Sequence, residues 1–205
     1  MSNSQIGQDL EVLEFYKYKR DGYFVEIGAY DGIALSNTLV LEKTYGWTGI
    51  LSEVVPHRYE QLLANRPKCH CNNSAVYSKS NMEVSFDIAN DSNMLSGISS
   101  HINAHKHVVN KNKSQIIVET ISLTDLLDLY KAPSFIEYLS LDTEGSELEI
   151  LKGLDHTKYT FGIIHVEHND IAIVRSQLKL LLENNGYKFL RKNHFDDEYI
   201  HNTLA

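Results

Sequence analysis

The segment at residues 24–32, FVEIGAYDG, constrains the fold of this chain more than any other part of the sequence. A short apolar strand, predicted over residues 23–27, runs directly into a turn with glycines at positions 28 and 32, and a helical pattern follows over residues 36–45. Gly28 allows a sharp bend, and Gly32 allows close approach to a ligand or to the following helix. A strand, a glycine turn and a helix in this order predict a ligand-binding α/β fold.

Apolar strands and amphipathic helices alternate along the rest of the chain. This alternation predicts a Rossmann-like α/β fold: a mostly parallel seven-stranded sheet with helices on both faces and an antiparallel edge. The length of 205 residues fits a single domain spanning residues 1–205. The predicted helices cover residues 7–19, 36–45, 56–65, 123–130, 146–152 and 171–184, and the predicted strands cover residues 23–27, 49–52, 69–72, 83–88, 136–141, 161–166, 187–190 and 198–201.

Charge and hydropathy exclude several classes of partner. The formal net charge of -8 argues against binding to nucleic acid and to an anionic membrane surface, since both need positive charge. No apolar run reaches the length of about 18 residues that a transmembrane helix requires. The polar N-terminal segment lacks the basic and apolar stretches of a signal peptide. We therefore expect a cytoplasmic protein.

Two acidic residues indicate the kind of ligand. Glu26 lies near the end of the first predicted strand, where it can order the loop or accept a hydrogen bond from a cationic ligand. Glu53 ends the second strand, where an acid accepts both hydroxyls of a ribose. The spacing E-x-G-x-x-x-G differs from the dinucleotide pattern G-x-G-x-x-G, and Glu26 would repel a pyrophosphate. The pair therefore predicts a nucleoside without a phosphate contact, and S-adenosylmethionine fits better than NAD.

Four segments give the chain a resemblance to a known family. The sequences SQIGQD at 4–9, FVEIGAYDGIALSNT at 24–38, LDTEGSE at 141–147 and LKG at 151–153 resemble FkbM-type methyltransferases. The resemblance implies S-adenosylmethionine as methyl donor and a hydroxyl acceptor, often on a sugar or polyketide. The family often has Glu-Pro after the second strand, whereas Glu53 is followed here by two valines and Pro56. The adenine side of the site is therefore expected to differ.

Motif positions and the resemblance together define the expected cofactor site. The N-terminal helix within residues 1–20 is expected to contribute to it, and the segment after the third strand is expected to read the adenine edge, although such a segment also suits an ordinary turn. The expected cofactor-binding residues are Gln8, Glu26, Gly28, Ala29, Tyr30, Gly32, Ser36, Asn37, Glu53, Val54, Asn73, Ser74, Ala75 and Asp142.

The acceptor is expected at the ends of the fourth and fifth strands, where Asp142, Glu167 and His168 form the predicted catalytic group. An alcohol must lose its proton during methyl transfer. His168 could act as the general base, or Asp142 and Glu167 could hold a divalent cation, Mg²⁺ or Mn²⁺. Glu144 is expected to cap the following helix, and Glu147 is expected at the surface of that helix or in a local salt bridge. His165, inside the fifth strand, is expected to be a core histidine with satisfied hydrogen bonds.

The segment at residues 92–115 shows little periodicity and is predicted to be a lid or an acceptor-binding loop. His101 and His105 would share a helix face and could bind a metal, but no third ligand is evident, so the lid interpretation is favoured. Two other functions remain open. One is a nicotinamide-dependent oxidoreductase, which the missing second glycine disfavours. The other is an inactive Rossmann-like binding module, and a homodimer is compatible with each interpretation.

Overall fold

The structure is a computed structural model that describes residues 2–102 and 104–204. Met1 and Ala205 of the expected domain, and Asn103 of the predicted lid, lie outside the described residues. The helices are α1 (Gln8–Phe15), α2 (Leu39–Tyr45), α3 (Pro56–Asn65), α4 (Lys106–Val109), α5 (Leu123–Leu129), α6 (Glu147–Lys152) and α7 (Ala172–Asn184). The strands are β1 (Tyr23–Ile27), β2 (Thr48–Ser52), β3 (His70–Asn72), β4 (Ala75–Tyr77), β5 (Glu83–Ala89), β6 (Gly97–Ile98), β7 (Lys113–Ser122), β8 (Phe135–Leu141), β9 (Thr160–Glu167), β10 (Tyr187–Asn193) and β11 (Asp196–His201).

The main sheet has seven strands in the order β10-β11-β9-β8-β1-β2-β3. β1 pairs in parallel with both β2 and β8, and β11 runs antiparallel between β9 and β10. The predicted fold class is therefore confirmed. Successive strands run outward from β1 through β2 to β3, and then from β8 through β9 in the other direction. Ligands bind in such sheets at the carboxyl ends of the strands where the order reverses, which here means β1 and β8.

Helices cover both faces of this sheet because neighbouring strand residues point to opposite sides. Val25 packs in a core cluster with residues of α5, α6 and α7, whereas Phe24 packs in a second cluster with residues of α1, α2 and α3. The sheet thus holds the ends of its strands on a rigid scaffold. No helix among the described residues is long and apolar enough to cross a membrane.

A second sheet, in the order β4-β7-β5-β6, was not predicted. β5 lies where a strand was expected, but it pairs antiparallel with β7 across seven residue pairs instead of joining the main sheet. β7 was not predicted because its run Ile116-Ile117-Val118 lacks the alternation of apolar and polar residues that marks a strand. Ile117 is apolar but 61% exposed, whereas both of its neighbours point inward. The predicted lid segment consequently contains β6, α4 and the start of β7.

Candidate active site

A cavity of about 530 Å³ lies at the carboxyl ends of β1, β2, β8 and β9. Its volume is in the range typical of sites for small ligands. Four residues of the expected site lie outside its lining: Gly32, Asn73, Ser74 and His168. The expected residues that line it are Gln8, Glu26, Gly28, Ala29, Tyr30, Ser36, Asn37, Glu53, Val54, Ala75, Asp142 and Glu167.

Gly28 brings three strand ends together at the cavity. Its φ of +89° suits glycine, and a Cβ atom there would lie 1.8 Å from the carbonyl oxygen of Asp142. The Gly28 amide donates to the carbonyl of Ser52, and the Asp142 amide donates to the carbonyl of Ile27. The turn therefore fixes the distance between β1 and β8. Gly32 has another role, since a Cβ atom there would meet Leu62 and Arg66 of the α3 region instead of a ligand.

Glu26 orders the loop that precedes α2. One carboxylate oxygen accepts from the Asn37 amide at 2.7 Å, and the other accepts from the hydroxyls of Ser36 at 2.9 Å and Thr38 at 2.6 Å. Burial raises the pKa of Glu26, while the Arg66 guanidinium and these hydrogen bonds oppose that rise. Of the two roles left open by the sequence, loop ordering is the one that these contacts fulfil.

Glu53 lies at the end of β2 with both carboxylate oxygens already engaged. One oxygen accepts from the Tyr30 amide at 2.9 Å, and the other accepts from the Val55 amide at 2.7 Å. A carboxylate oxygen can accept more than one hydrogen bond, so these oxygens can also accept from a hydroxyl. Burial raises the pKa of Glu53 to about 7, and the backbone hydrogen bonds oppose the rise. The carboxylate is therefore held rigidly at the cavity wall.

Asp142, Glu144 and Glu167 form a carboxylate cluster on the floor of the cavity. One oxygen from each lies within 4.8 Å of the others. Asp142 is exposed to the cavity, whereas Glu144 and Glu167 are buried. Glu167 also accepts from the side-chain amide of Asn169 at 2.7 Å. Glu144 thus supplies the third carboxylate, which sequence patterns had not placed beside the other two.

Glu147, the first residue of α6, orders the loop before the helix, and the side-chain cap expected of Glu144 is not formed. The Glu147 carboxylate accepts from the amides of Thr143 at 2.8 Å and Gly145 at 3.1 Å. Glu147 is buried, contrary to its expected surface position, because the loop before α6 folds over it. Glu144 has a φ of +61° and points its side chain to the cavity instead. The sequence LDTEGSE could not distinguish these two acids, since both stand near the start of the helix.

Crowding sets the protonation of the carboxylate cluster. Although Asp142 opens onto the cavity, the protein packed around its carboxylate excludes much of the surrounding water, and this desolvation and the neighbouring charges of Asp196 and Glu147 raise the pKa of Asp142 to about 7. Burial and repulsion within the cluster raise the pKa values of Glu144 and Glu167 further. The three carboxyl groups therefore do not all ionise at neutral pH, and the cluster retains protons there.

Replacing Glu167 by glutamine is expected to weaken the pH dependence of stability. A carboxyl group with a higher pKa in the folded state stabilises the fold fully below its unfolded-state pKa, and this contribution is lost as the pH rises toward the folded-state value. Urea unfolding between about pH 5 and pH 8 should show a free energy of unfolding that falls with pH in the wild type and falls less in Glu167→Gln. If the free energy of unfolding depended on pH equally in both proteins, the raised pKa of Glu167 would be contradicted.

His168 does not reach the cavity lining. Its side chain is fully buried, with Nδ1 accepting from the Asp170 amide at 3.0 Å and Nε2 facing Asp197 at 3.5 Å. Burial lowers the pKa of His168. The backbone after β9 directs the His168 ring toward β11. His168 is therefore not placed to contact an acceptor in the cavity, as the sequence had predicted it would be.

His105 is the histidine that lines the cavity, and its Nε2 lies 3.8 Å from a carboxylate oxygen of Glu144. His101 lies near the hydroxyl of Tyr77, at 2.8 Å from its Nε2. Because α4 begins only at Lys106, these two histidines do not share a helix face as the spacing had suggested. The spacing of His101 and His105 in the sequence could not predict the contact between His105 and Glu144, because that contact depends on the fold of the second sheet.

The N-terminal helix contributes to the cavity through Gln8. The Gln8 side-chain amide donates to Asp196 at the start of β11 at 2.9 Å, and both side chains are buried. The hydrogen bond spans 188 positions in sequence and fixes α1 over the end of the sheet. The N-terminal segment therefore closes one side of the cavity.

The profile of the methyltransferase FkbM domain matches residues 26–189. No curated protein matches the chain. A TehB-like SAM-dependent methyltransferase from Corynebacterium glutamicum has a TM-score of 0.50 at 8% identity, over 98% of this chain and 90% of that chain. The METTL16 methyltransferase domain has a TM-score of 0.52 at 11% identity, over 94% of this chain and 64% of that chain. TrmK from M. capricolum, solved with S-adenosylhomocysteine, has a TM-score of 0.43 at 15% identity, over 93% and 66%.

At these identities the TehB-like and METTL16 structures show a shared fold alone, while the family assignment depends on the profile match. The matched residues 26–189 begin at Glu26 and include the glycine turn, Glu53 and the carboxylate cluster. They therefore hold most of the groups that line the cavity. The chain belongs to the FkbM family of methyltransferases, which makes it a methyltransferase that uses S-adenosylmethionine.

Proposed function

We propose that this methyltransferase transfers the methyl group of S-adenosylmethionine to a hydroxyl oxygen of a small acceptor, a sugar or glycan. The proposal is supported by one observation: Glu53, at one wall, and Asp142, on the floor, line the same cavity. Glu53 suits the ribose of the donor, and Asp142 suits the proton of an acceptor alcohol. Both chemical requirements of O-methylation are then met in one space.

The donor half of the cavity is supported by the contacts around β1 and β2. Glu53 would accept the ribose hydroxyls on its remaining lone pairs. Ala75 and Val76 would form an apolar wall for the adenine together with Val54, which stands where the family often has proline after the acid. Gly28 and Gln8 would flank the amino-acid part of the donor. In this arrangement the methyl group would point toward the carboxylate cluster.

Asp142 is the base that we propose for the acceptor, in place of His168. In the reaction, the acceptor O–H proton passes to the Asp142 carboxylate as an oxygen lone pair forms the new C–O bond. The C–S bond breaks at the same time, and its electron pair returns to sulfur, which leaves S-adenosylhomocysteine. A general base with a pKa near the working pH is well matched to this proton transfer. The pKa of about 7 for Asp142 meets that condition.

The carboxylate cluster also fits a hard divalent cation such as Mg²⁺ or Mn²⁺, since three carboxylate oxygens lie within 4.8 Å of one another. Asp142, Glu144 and Glu167 would hold it, and the cation would lower the pKa of a bound hydroxyl. Treatment with EDTA separates the two routes. We expect activity to survive EDTA, because the Asp142 route needs no metal. Loss of activity that Mg²⁺ or Mn²⁺ restores would instead assign the cluster to a cation.

A polar small-molecule acceptor suits the rest of the cavity better than RNA does. Ser92, Ser96 and Asn169 line the side near the cluster and offer the neutral hydrogen-bonding groups that sugar hydroxyls use. The net charge of -8 would repel a phosphate backbone. The test is incubation with methyl-labelled S-adenosylmethionine and three acceptor panels: sugars and glycans, alcohol-free amines, and short RNAs. Label on the sugars supports the proposal, and label on amines or RNA alone would refute it.

Replacing Glu53 by alanine is expected to weaken binding of S-adenosylhomocysteine by about 1–3 kcal/mol, because hydrogen bonds to a charged group are lost. Calorimetric titration measures the change. The matched control is Glu60→Ala, at an exposed acid on α3 that does not line the cavity. Its dissociation constant should equal that of the wild type. An unchanged constant in a folded Glu53→Ala variant would exclude the ribose contact.

A further inference from the structure

Glu11, His165 and Glu198 meet in a second polar cluster, and none of them lines the cavity. His165 and Glu198 are paired residues of the adjacent strands β9 and β11. Glu11 reaches them from α1, which packs on the same face of the sheet. One ligand-type atom of each side chain lies within 4.8 Å of the others. Three chain segments that are distant in sequence therefore converge on one point.

The separations inside this cluster are too long for direct hydrogen bonds. His165 Nε2 lies 3.6 Å from an oxygen of Glu11 and 3.8 Å from an oxygen of Glu198. Both the His165 Nε2 atom and the Glu11 Oε2 atom are buried, and within the described part of the chain neither has a hydrogen-bond partner. His165 is thus a buried histidine, as the sequence predicted, but its Nε2 lacks the hydrogen bond that was expected. Leaving such atoms unpaired is costly, so they point to a ligand.

The two separations from His165 are close to those between the ligands of a tetrahedral metal ion. Metal–nitrogen and metal–oxygen bonds of about 2.1 Å give ligand atoms about 3.4 Å apart in a tetrahedron. We propose that Glu11, His165 and Glu198 bind a divalent metal ion of the zinc type, with a water molecule as fourth ligand. One imidazole and two carboxylates favour this class over Mg²⁺ or Ca²⁺, which prefer six or more oxygen ligands.

The groups around the cluster fit this role. The Tyr138 hydroxyl lies 2.9 Å from His165 Nδ1, so it fixes the ring and leaves Nε2 for the metal, as partners of metal-bound histidines do. Arg191 donates to Glu198 at 2.7 Å and contacts the other oxygen of Glu11 at 2.9 Å. It neutralises one of the two carboxylate charges and leaves Glu11 Oε2 free.

A metal ion at this position would fasten α1 to the main sheet. Gln8 belongs to the same helix, lines the cavity and donates to Asp196 of β11. The metal ion would therefore support the N-terminal wall of the cavity from behind without touching the reactants. This role is structural, so it is measurable in the absence of any acceptor.

The test is a titration of chelator-treated protein with Co²⁺, followed by visible absorption, together with thermal melting in Zn²⁺. The wild type should bind one equivalent of Co²⁺ with the bands of a tetrahedral site, and Zn²⁺ should raise its Tm. Glu11→Gln and His165→Gln should weaken binding by about tenfold or more, a loss that even an outer partner of a metal can cause. Glu11→Gln alone suffices if His165→Gln does not fold, since Glu11 lies at the edge of the core.

Two control variants distinguish this site from other carboxylates. Glu183→Gln changes an exposed acid on α7, and Glu167→Gln changes the carboxylate cluster of the cavity. Both should keep the cobalt spectrum and the zinc-dependent rise in Tm. The inference is overturned if the wild type binds no Co²⁺ or Zn²⁺, if binding is unchanged in Glu11→Gln and His165→Gln, or if only Glu167→Gln abolishes it.

Discussion

Replacing Asp142 by asparagine should lower turnover by about 10²–10⁴-fold, the range typical for loss of a general base. Asparagine keeps the size of the side chain and can still fill the cavity floor, but it cannot take the acceptor proton. Affinity for S-adenosylhomocysteine should change much less than turnover. Steady-state rates with the best acceptor of the panel, together with a calorimetric titration, measure the two quantities separately.

His168→Gln provides the comparison for Asp142→Asn, because His168 was the base expected from the sequence. Its side chain faces Asp197 away from the cavity, so turnover per folded molecule should stay close to that of the wild type. Melting curves correct for any loss of folded protein. Full activity in Asp142→Asn combined with a large loss in His168→Gln would reverse our assignment of the base.

Replacing Gly28 by valine should abolish donor binding and destabilise the fold. Even the Cβ atom of alanine would lie 1.8 Å from the Asp142 carbonyl oxygen, so β1 and β8 would have to separate where the cavity begins. The branched side chain of valine adds to this conflict and tolerates the φ of +89° poorly. Calorimetry with S-adenosylhomocysteine and thermal melting record the two effects.

Gly7→Ala is the matched control for Gly28→Ala. Gly7 has a similar φ of +90°, but a Cβ atom there would meet nothing within 4 Å. Gly7→Ala should cost only the conformational penalty of about 1–2 kcal/mol, whereas Gly28→Ala should lose more stability and most of its donor affinity. Equal Tm values for the two alanine variants, together with wild-type affinity of Gly28→Ala for S-adenosylhomocysteine, would show that the close contact between Gly28 and Asp142 is not required for stability or donor binding.

Local patterns predicted the main sheet well because its strands are short apolar runs that end at glycines or acids. The strand β1 and the helix α3 agree with their predicted bounds, and Ser122 accepts from the Asp125 amide as the capping signal indicated. The positions of Glu26 and Glu53 at strand ends also followed from the pattern. Parallel strands deliver such residues to one edge of a sheet, so their meeting at the cavity was predictable.

Other parts of the site depend on long-range packing that local patterns do not encode. The second sheet arises from pairing of β5 with β7, more than 20 residues apart in sequence, and it carries Phe86 and Ile98 to the cavity wall. The orientation of His168 depends on β11, which inserts antiparallel beside β9. The different roles of Glu144, which lines the cavity, and Glu147, which orders the loop, depend on the left-handed backbone at Glu144 and Gly145.

Calorimetric titration of the purified protein with S-adenosylhomocysteine, with NAD as the matched nucleotide, tests the central claim most directly. The cavity should bind S-adenosylhomocysteine with a dissociation constant on the order of 1 μM, about -8 kcal/mol, and NAD should give no measurable heat. The binding should disappear in Gly28→Val and weaken in Glu53→Ala. Absence of binding by folded wild-type protein, or equal binding of NAD, would contradict the assignment of this cavity to S-adenosylmethionine.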